Sequence, residues 1–480
     1  MDIRGIIKLI ATIGIALSLF FILPILVGAI YSENILPFIF FDTLFFLVNL
    51  APLLILRKHR FNLKVKESIV VVNLIWILLG IGGAIPFVIY HACDFPSAVF
   101  EAISGFTTTG ATVFSDIESL PKMLLFLRSL MHWLGGMGII VLGVGLFSLI
   151  NPTGSLSLFK AESTGISIEK LTPKIKDTAV SLWRIYLIFT LCDAVLLYLL
   201  GMDWFDAINH AFSTISTGGF STKNSSLGFF QSDAIVWVTT FFMMISGINF
   251  LAHLRSMNRD FSGYKSEEIR WYLFIFLLLS ALLTMVHAFS SGDSLYFSAT
   301  HSFFTIASVL TTTGYATLDY EQWGQIAVII VFLSMLVGGN VGSTAGGVKV
   351  IRYVLLFKNI AAEIKRILHP NAIVAVFVNG NRIKSAVIGS AFGFFALYIL
   401  TSVTVMLYLY ARGLDEMSAI STALATVGNI GPGFALTGPS HNYGFFEWYD
   451  KLVLSSAMII GRLECYTVFV LFVRDFWKKF

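Results

Sequence analysis

Charge is scarce in this sequence. Of its 480 residues only 12% are Asp, Glu, Lys or Arg, and 56% are hydrophobic. A soluble domain carries roughly 25% charged residues. No polar interval between Ile6 and Phe472 is long enough to hold a second, soluble domain. Cysteine is nearly absent as well: Cys93, Cys192 and Cys465 share no metal or redox spacing and read as packing residues. His132, His210, His253 and His301 form no metal-ligand pattern and read as structural. There is no P-loop, which argues against an ATP-driven pump. Ser343 stands in a glycine loop, but without G-x-S-x-G context or a histidine placed as base, so an intramembrane hydrolase is not expected.

What is present is apolar sequence, with a mean hydropathy of +0.83. The stretch after Arg4 and Lys8 runs to Tyr31, too long for the ~7–15-residue apolar core of a cleaved signal peptide. Ten candidate spans follow from it, at 6–31, 35–57, 68–92, 122–149, 178–200, 233–254, 270–289, 325–362 (interrupted), 384–411 and 450–473. Basic residues fall on alternate loops: Arg57, Lys58, Arg60, Lys64 and Lys66; Lys160, Lys170, Lys174 and Lys176; Arg255, Arg259, Lys265 and Arg270; Lys358, Lys365, Arg366, Arg382 and Lys384. The other loops hold Asp94, Glu101, Asp116, Glu118, Asp203, Asp206, Asp293, Asp319 and Glu321. By the positive-inside rule both termini are expected in the cytoplasm.

Four short polar segments centred on glycine interrupt this pattern: Thr107-Thr-Thr-Gly110, Ile215-Ser-Thr-Gly218, Thr311-Thr-Thr-Gly314 and Ala425-Thr-Val-Gly428. They recur about every 100 residues, as one per unit of a fourfold internal repeat would. Non-helical backbone at membrane depth is tolerated only where protein buries it or it lines a watery path. The expected unit is therefore span, short helix, glycine segment, span, with short helices near 96–106, 204–214, 295–309 and 416–424. Their C-terminal ends present negative dipole ends, which favour a cation, while Asp94, Asp203, Asp206, Asp293, Asp415 and Glu416 suit the starts. A ring of backbone carbonyls around one cation path is expected, formed by Thr108, Thr109 and Gly110; Ser216, Thr217 and Gly218; Thr312, Thr313 and Gly314; Thr426, Val427 and Gly428. Asp116, Glu118, Asp319 and Glu321 read equally as cation-gathering residues at its mouth or as ordinary solvated loop acids.

The segment Gly338-Gly-Asn-Val-Gly-Ser-Thr-Ala-Gly-Gly-Val-Lys349 holds five glycines in twelve residues. Each costs about 1 kcal/mol in a helix relative to alanine, so a break in the eighth span is expected there. Gly338, Gly339, Gly342, Ser343, Gly346, Gly347 and Lys349 read as a gate below the ring, with close small-residue helix packing as the alternative. Arg462, deep in the last span, is by default a functional candidate; a structural pair with Glu464 is the competing reading.

These residues, with Trp133-Leu-Gly-Gly-Met-Gly138, Gly346-Gly-Val-Lys-Val-Ile-Arg352 and Gly461-Arg-Leu-Glu464, closely resemble the bacterial Trk/Ktr/HKT potassium-uptake superfamily over essentially the whole chain. Two spans before the first repeat favour its TrkH/TrkG branch. The resemblance implies potassium (and rubidium) uptake, with K+ as the transported ion at the filter residues and no organic cofactor. It implies a homodimer with one pore per protomer, in the bacterial cytoplasmic (inner) membrane, working with a cytosolic nucleotide-binding ring of the TrkA kind. It makes the four glycines the filter, residues 338–349 the gate and Arg462 the arginine beneath the filter. Gly110, where sodium-favouring plant relatives carry serine, argues for potassium. The implied division is 1–66 (two extra helices), 67–176, 177–268, 269–380 and 381–480 (four pore repeats). A poorly selective Na+/K+ pathway and a proton- or sodium-coupled symporter remain alternatives. Membrane lipids and the cytosolic ring compete as partners for the basic loops; no nucleic acid is expected.

Overall fold

A computed structural model describes residues 1–59, 65–150 and 175–478. Arg60, Lys64, Lys160, Lys170 and Lys174 of the basic loops lie outside the described residues.

Helices α1 (Ile3–Ile30) and α2 (Leu36–Ile55) pair at the start of the chain, with Phe21 packed among Phe38, Phe41 and Phe45. The Ser18 hydroxyl donates to Asp42 across the pair at 2.6 Å. The first repeat is α3 (Val65–Ile89), the short α4 (Phe95–Phe106) and α5 (Lys122–Ile150). The second is α6 (Ile175–Leu199), α7 (Trp204–Ile215) and α8 (Asp233–Ser246), which turns by 96° into α9 (Phe250–Met257). The third is α10 (Glu267–Ser291), α11 (Leu295–Leu310), α12 (Gln325–Met335) and, after a break, α13 (Val350–Leu368). The fourth is α14 (Ser385–Ala411), α15 (Glu416–Val427) and α16 (Trp448–Arg462), which bends by 109° into residues 466–472. A two-stranded hairpin, Phe377–Val378 against Asn381–Arg382, lies between α13 and α14. Six described helices are long and apolar enough to cross a membrane, eight if each bent pair is one span. The chain is an all-α polytopic membrane protein.

The short helices start where polar caps stop the preceding coil. Asp203 accepts the Asp206 N–H, Ser294 the Phe297 N–H and Asp415 the Ser418 N–H, each satisfying an amide that the first turn leaves orphaned. Only the break after α12 is expected from glycine content. The structure corrects the continuous spans expected at 233–254 and 450–473. In the first, Gly247 ends α8 and the Asn249 side chain caps α9 through the Leu251 N–H at 2.8 Å. In the second, Glu464 and Cys465 take φ of 59° and 55° and turn the chain.

Long helices and short helices meet through glycine. A Cβ on Gly135 in α5 would lie 1.8 Å from the Phe106 carbonyl oxygen, and one on Gly461 in α16 would lie 1.9 Å from that of Val427. Both carbonyls belong to the last residue of a short helix, so two long helices press against the ends of two short ones with no room for a methyl group. Gly135→Ala is expected to destabilise the protein by about 1–3 kcal/mol, the usual cost of overpacking. Thermal unfolding in detergent, with Gly389→Ala in α14 as control because open space surrounds that helical residue, measures the difference.

Candidate functional site

The four short helices end alike. After the C-caps Thr107, Ser216, Thr311 and Gly428, the next residue is left-handed in each repeat: Thr108 (φ 52°), Thr217 (54°), Thr312 (57°) and Asn429 (55°). The residue after that returns its N–H to the carbonyl five positions back: Thr109 to Ser104 at 2.9 Å, Gly218 to Ser213, Thr313 to Ser308 and Ile430 to Ala425 at 2.8 Å. The following residue is a glycine at positive φ: Gly110 (82°), Gly219 (85°), Gly314 (80°) and Gly431 (99°). Threonine is β-branched and is rarely left-handed, and such strain, on the order of 1–3 kcal/mol per residue, gathers at functional sites.

The four turns close into a ring. A Cβ on Gly110 would meet the Gly218 oxygen at 2.2 Å, one on Gly219 the Thr313 oxygen at 1.8 Å, one on Gly314 the Ile430 oxygen at 2.1 Å, and one on Gly431 the Thr109 oxygen at 2.5 Å. Each repeat thus abuts the next, and the fourth returns to the first.

This geometry corrects the register expected for the second and fourth repeats. Gly219, not Gly218, and Gly431, not Gly428, occupy the equivalent glycine position. Gly218 is a glycine for another reason: a Cβ there would strike the His132 imidazole at 2.2 Å. Gly428 is a right-handed helix cap, while Thr426 and Val427 lie in the last turn of α15, where the Thr426 hydroxyl donates to the Thr422 carbonyl. Ser216 is likewise a cap, its hydroxyl spent on Phe212. Thr108, Thr109 and Gly110, and Thr312, Thr313 and Gly314, form the equivalent turns of the first and third repeats. The signal that finds the true register is [Thr/Asn]-x-Gly, which reads Thr108-Thr-Gly110, Thr217-Gly-Gly219, Thr312-Thr-Gly314 and Asn429-Ile-Gly431.

Residues 336–349 pack directly against these turns. The Gly346 N–H donates to the Thr312 hydroxyl at 2.6 Å, and the Thr344 hydroxyl donates to the Ile215 carbonyl at the end of α7. The Asn340 N–H bonds Gly247 and the Phe250 N–H bonds Gly342, tying the segment to the α8–α9 break. Lys349 folds its ammonium back onto the Ala345 carbonyl, and Ser343 spends its hydroxyl on Asn340. Gly342 and Gly347 have positive φ; Gly338 packs against the Gly346 and Gly347 backbone, and Gly339 against Ala345. Gly338 and Gly347 serve the segment's own close turns, while Gly346 lies against the Gly428 carbonyl and Gly342 against the Asn249 side chain. Arg462 donates to the Thr344 carbonyl at 3.0 Å and to the Gly135 carbonyl at 3.0 Å, bridging the segment to α5.

Around the ring, Glu101 is a buried member of α4 rather than a loop acid. It accepts from Arg128 at 2.8 Å, from the Val113 N–H and from the Thr112 hydroxyl, and Arg128 also donates to the Ser221 carbonyl. Both side chains are at most 1% exposed, so this pair joins the chain beyond the first and second turns. Tyr320 and Tyr443 donate to the Gly433 and Gly431 carbonyls. Sequence reasoning missed Arg128, Asn429 and both tyrosines, since none stands in a glycine motif. The mouth acids are neither free nor merely solvated. Asp116 and Glu118 engage Asn224 of the second repeat, and the amide of Asn224 pulls the Asp116 carboxyl below its ordinary value. Glu321 accepts the Ala435 N–H of the fourth, with burial pushing its carboxyl up. Among the described residues no group of His, Cys, Asp and Glu is placed to hold a metal ion.

Breaking a buried pair by removing one partner costs about 3–5 kcal/mol. Arg128→Met is therefore expected to lower the unfolding temperature sharply, and Glu101→Gln/Arg128→Met to recover much of the loss, both read by thermal unfolding in detergent.

The family model described as a cation transport protein, TrkH, matches residues 37–286 and 269–479. The Trk system potassium uptake protein TrkH of Vibrio parahaemolyticus is 37% identical, with all of both chains covered. TrkH and TrkG of Escherichia coli are each 35% identical, TrkG over 96% of both chains. The crystal structure of the potassium transporter TrkH from Vibrio parahaemolyticus superposes with a TM-score of 0.90 at 35% identity over the full length of both. The chain belongs to the TrkH family of cation transport proteins and is a transporter, not an enzyme.

Proposed function

We propose that this protein carries potassium, and rubidium in its place, into the cell through one selective, gated pore per protomer. The observation that carries the reading is the closed ring of four [Thr/Asn]-x-Gly turns at the C-terminal ends of four short helices. Carbonyl dipoles can replace the weakly held water shell of potassium, and the four converging helix ends add negative potential there. The filter is then formed by Thr108, Thr109 and Gly110; Thr217, Gly218 and Gly219; Thr312, Thr313 and Gly314; and Asn429, Ile430 and Gly431. With one positive-φ glycine per repeat it is short. The inward driving force is the membrane potential, about 2.3 kcal/mol per charge per 100 mV.

Residues 338–349 are the gate in this reading, since they abut Thr312 and the end of α7 on the side of the basic loops. Arg462 holds the gate by its bond to Thr344. The alternation of basic and acidic loops supports a multi-pass inner-membrane protein with cytoplasmic termini. The kinship with Trk system proteins supports a homodimer that works with a nucleotide-binding cytosolic ring, and the division at residues 66, 176, 268 and 380 follows the repeats. A poorly selective Na+/K+ pathway or an ion-coupled symporter is the second reading.

Radioactive rubidium uptake into proteoliposomes, with potassium and sodium as competitors, tests the filter. Wild type should be blocked far better by potassium than by sodium. Gly110→Ser and Gly431→Ala should weaken that preference, because each places a side chain at positive φ against a neighbouring carbonyl. Equal competition in wild type sinks the selective pore, and uptake that follows an imposed proton or sodium gradient favours the symporter.

Hydrogen bonds from a charged group contribute about 1.5–3 kcal/mol, and each 1.4 kcal/mol is tenfold. Arg462→Ala is therefore expected to raise uptake severalfold or more in the absence of the cytosolic ring. Unchanged or lower uptake in a folded variant removes the arginine from the gate.

A further inference from the structure

Phe220 directly follows Gly219, the positive-φ glycine of the second turn. Its ring meets two groups of α5 at the same distance. The Arg128 guanidinium lies 4.1 Å from the ring centroid, and the His132 imidazole stacks on it at 4.1 Å with 13° between the planes. Arg128 and His132 stand four residues apart, so one face of a single helix supplies both. All three side chains are at most 2% exposed. His132 also touches the turn itself: a Cβ on Gly218 would lie 2.2 Å from Nδ1, so the imidazole rests on the Gly218 backbone. The Phe220 N–H and the Ser213 hydroxyl lie 3.4 and 3.3 Å from the same nitrogen. Those are long for hydrogen bonds, and the ring faces make the closer contact. On its other side Gly218 presents its carbonyl oxygen to the first turn, against Gly110. In the first and fourth turns the residue after the glycine is Ala111 or Pro432, with no aromatic ring to hold; in the third it is Tyr315, whose hydroxyl donates to the His210 carbonyl at 3.1 Å.

We infer that His132 and Phe220 are positioning residues for ion selection, their stacked rings fixing the Gly218 carbonyl against the first turn. The inference rests on the reading of the four turns as a filter. Whether discrimination comes from cavity size or from the field of the carbonyl dipoles, it depends on where each carbonyl stands. Stacked rings and a desolvated cation over a ring favour one relative geometry, and no water can enter to replace them at this depth of burial. The imidazole backs Gly218 from outside the ring, while Phe220 pins the chain two residues further on. A loss of either flat face frees the second turn to shift, and with it the carbonyl that meets Gly110.

The test is rubidium uptake into proteoliposomes holding the full chain, read as the ratio of the sodium and potassium concentrations that halve it, with thermal unfolding measured alongside. Phe220→Leu and His132→Leu keep apolar bulk but remove a flat face. Each should lower the ratio by about threefold to tenfold, the range to which the loss of one ring stack converts. His132→Phe, which returns a flat ring, should restore most of it. Tyr198→Leu breaks a comparable stack, with Trp204 at 3.8 Å, at the opposite end of α7, and should keep the wild-type ratio. A merely structural role would lower the unfolding temperature and the amount of active protein while leaving the ratio alone. Unchanged ratios in both leucine variants at positions 132 and 220, an equal loss in Tyr198→Leu, or no recovery in His132→Phe overturns the inference. A wild type that shows no preference for potassium sinks the filter reading itself, and the positioning role with it.

Discussion

The contact on which the rest depends is glycine against a neighbour's carbonyl, made four times in a circle. A side chain at Gly110, Gly219, Gly314 or Gly431 would occupy the space of the next repeat's backbone. Close approach of this kind requires each short helix to end at the same height and reverse through a left-handed residue. The strain in Thr108, Thr217 and Thr312 is held in place by what surrounds the ring. Two long helices press on the short-helix ends through Gly135 and Gly461, and a buried Glu101–Arg128 pair ties the first turn to the second. Tyrosines from outside the turns hold two carbonyls of the fourth segment.

The repeats share this geometry without sharing chemistry. The fourth turn replaces Thr-Thr-Gly by Asn429-Ile-Gly431, and Asn429 sends its amide across to the Thr109 hydroxyl and the Met458 carbonyl. The acids beyond the turns join the repeats in pairs: Asp116 and Glu118 link the first to the second, and Glu321 the third to the fourth. The long helices after the turns differ most. That of the first runs unbroken to Ile150, and the other three break or bend at Gly247–Asn249, at 336–349 and at Leu463–Cys465. The 336–349 segment gathers the three breaks: it bonds the Gly247–Asn249 bend through Asn340 and Gly342, Arg462 beside the last bend through Thr344, and the Thr312 turn through Gly346.

How far the site could be read in advance is clearest from single residues. Thr108, Gly110, Thr312 and Gly314 share one turn geometry because their segments spell the same Thr-Thr-Thr-Gly. Gly218 and Gly428 were reasonable expectations from a Ser/Thr-Thr/Val-Gly match, yet the chain reverses one residue later in the second repeat and three residues later in the fourth. Arg462 is legible because charge at membrane depth is costly and rare. Arg128 is more deeply buried than Arg462 but stands near a span end, where nothing in its neighbours separates it from a topogenic charge. The bend at Glu464 and Cys465 carries no glycine or proline at the turn itself and so gives no local warning.

The sequence by itself determined the membrane-spanning class, the fourfold recurrence, the starts of the short helices and the break after α12. These follow from composition, apolar length, caps and glycine cost, all of which act within a few residues of where they are read. Only the tertiary structure decided which glycine of each segment faces its neighbour, which acids are spent on inter-repeat bonds, and that Arg462 reaches Thr344. Those depend on contacts between residues far apart in the chain, such as Gly431 with Thr109, and a left-handed turn is placed by what it must fit against rather than by its own residues alone.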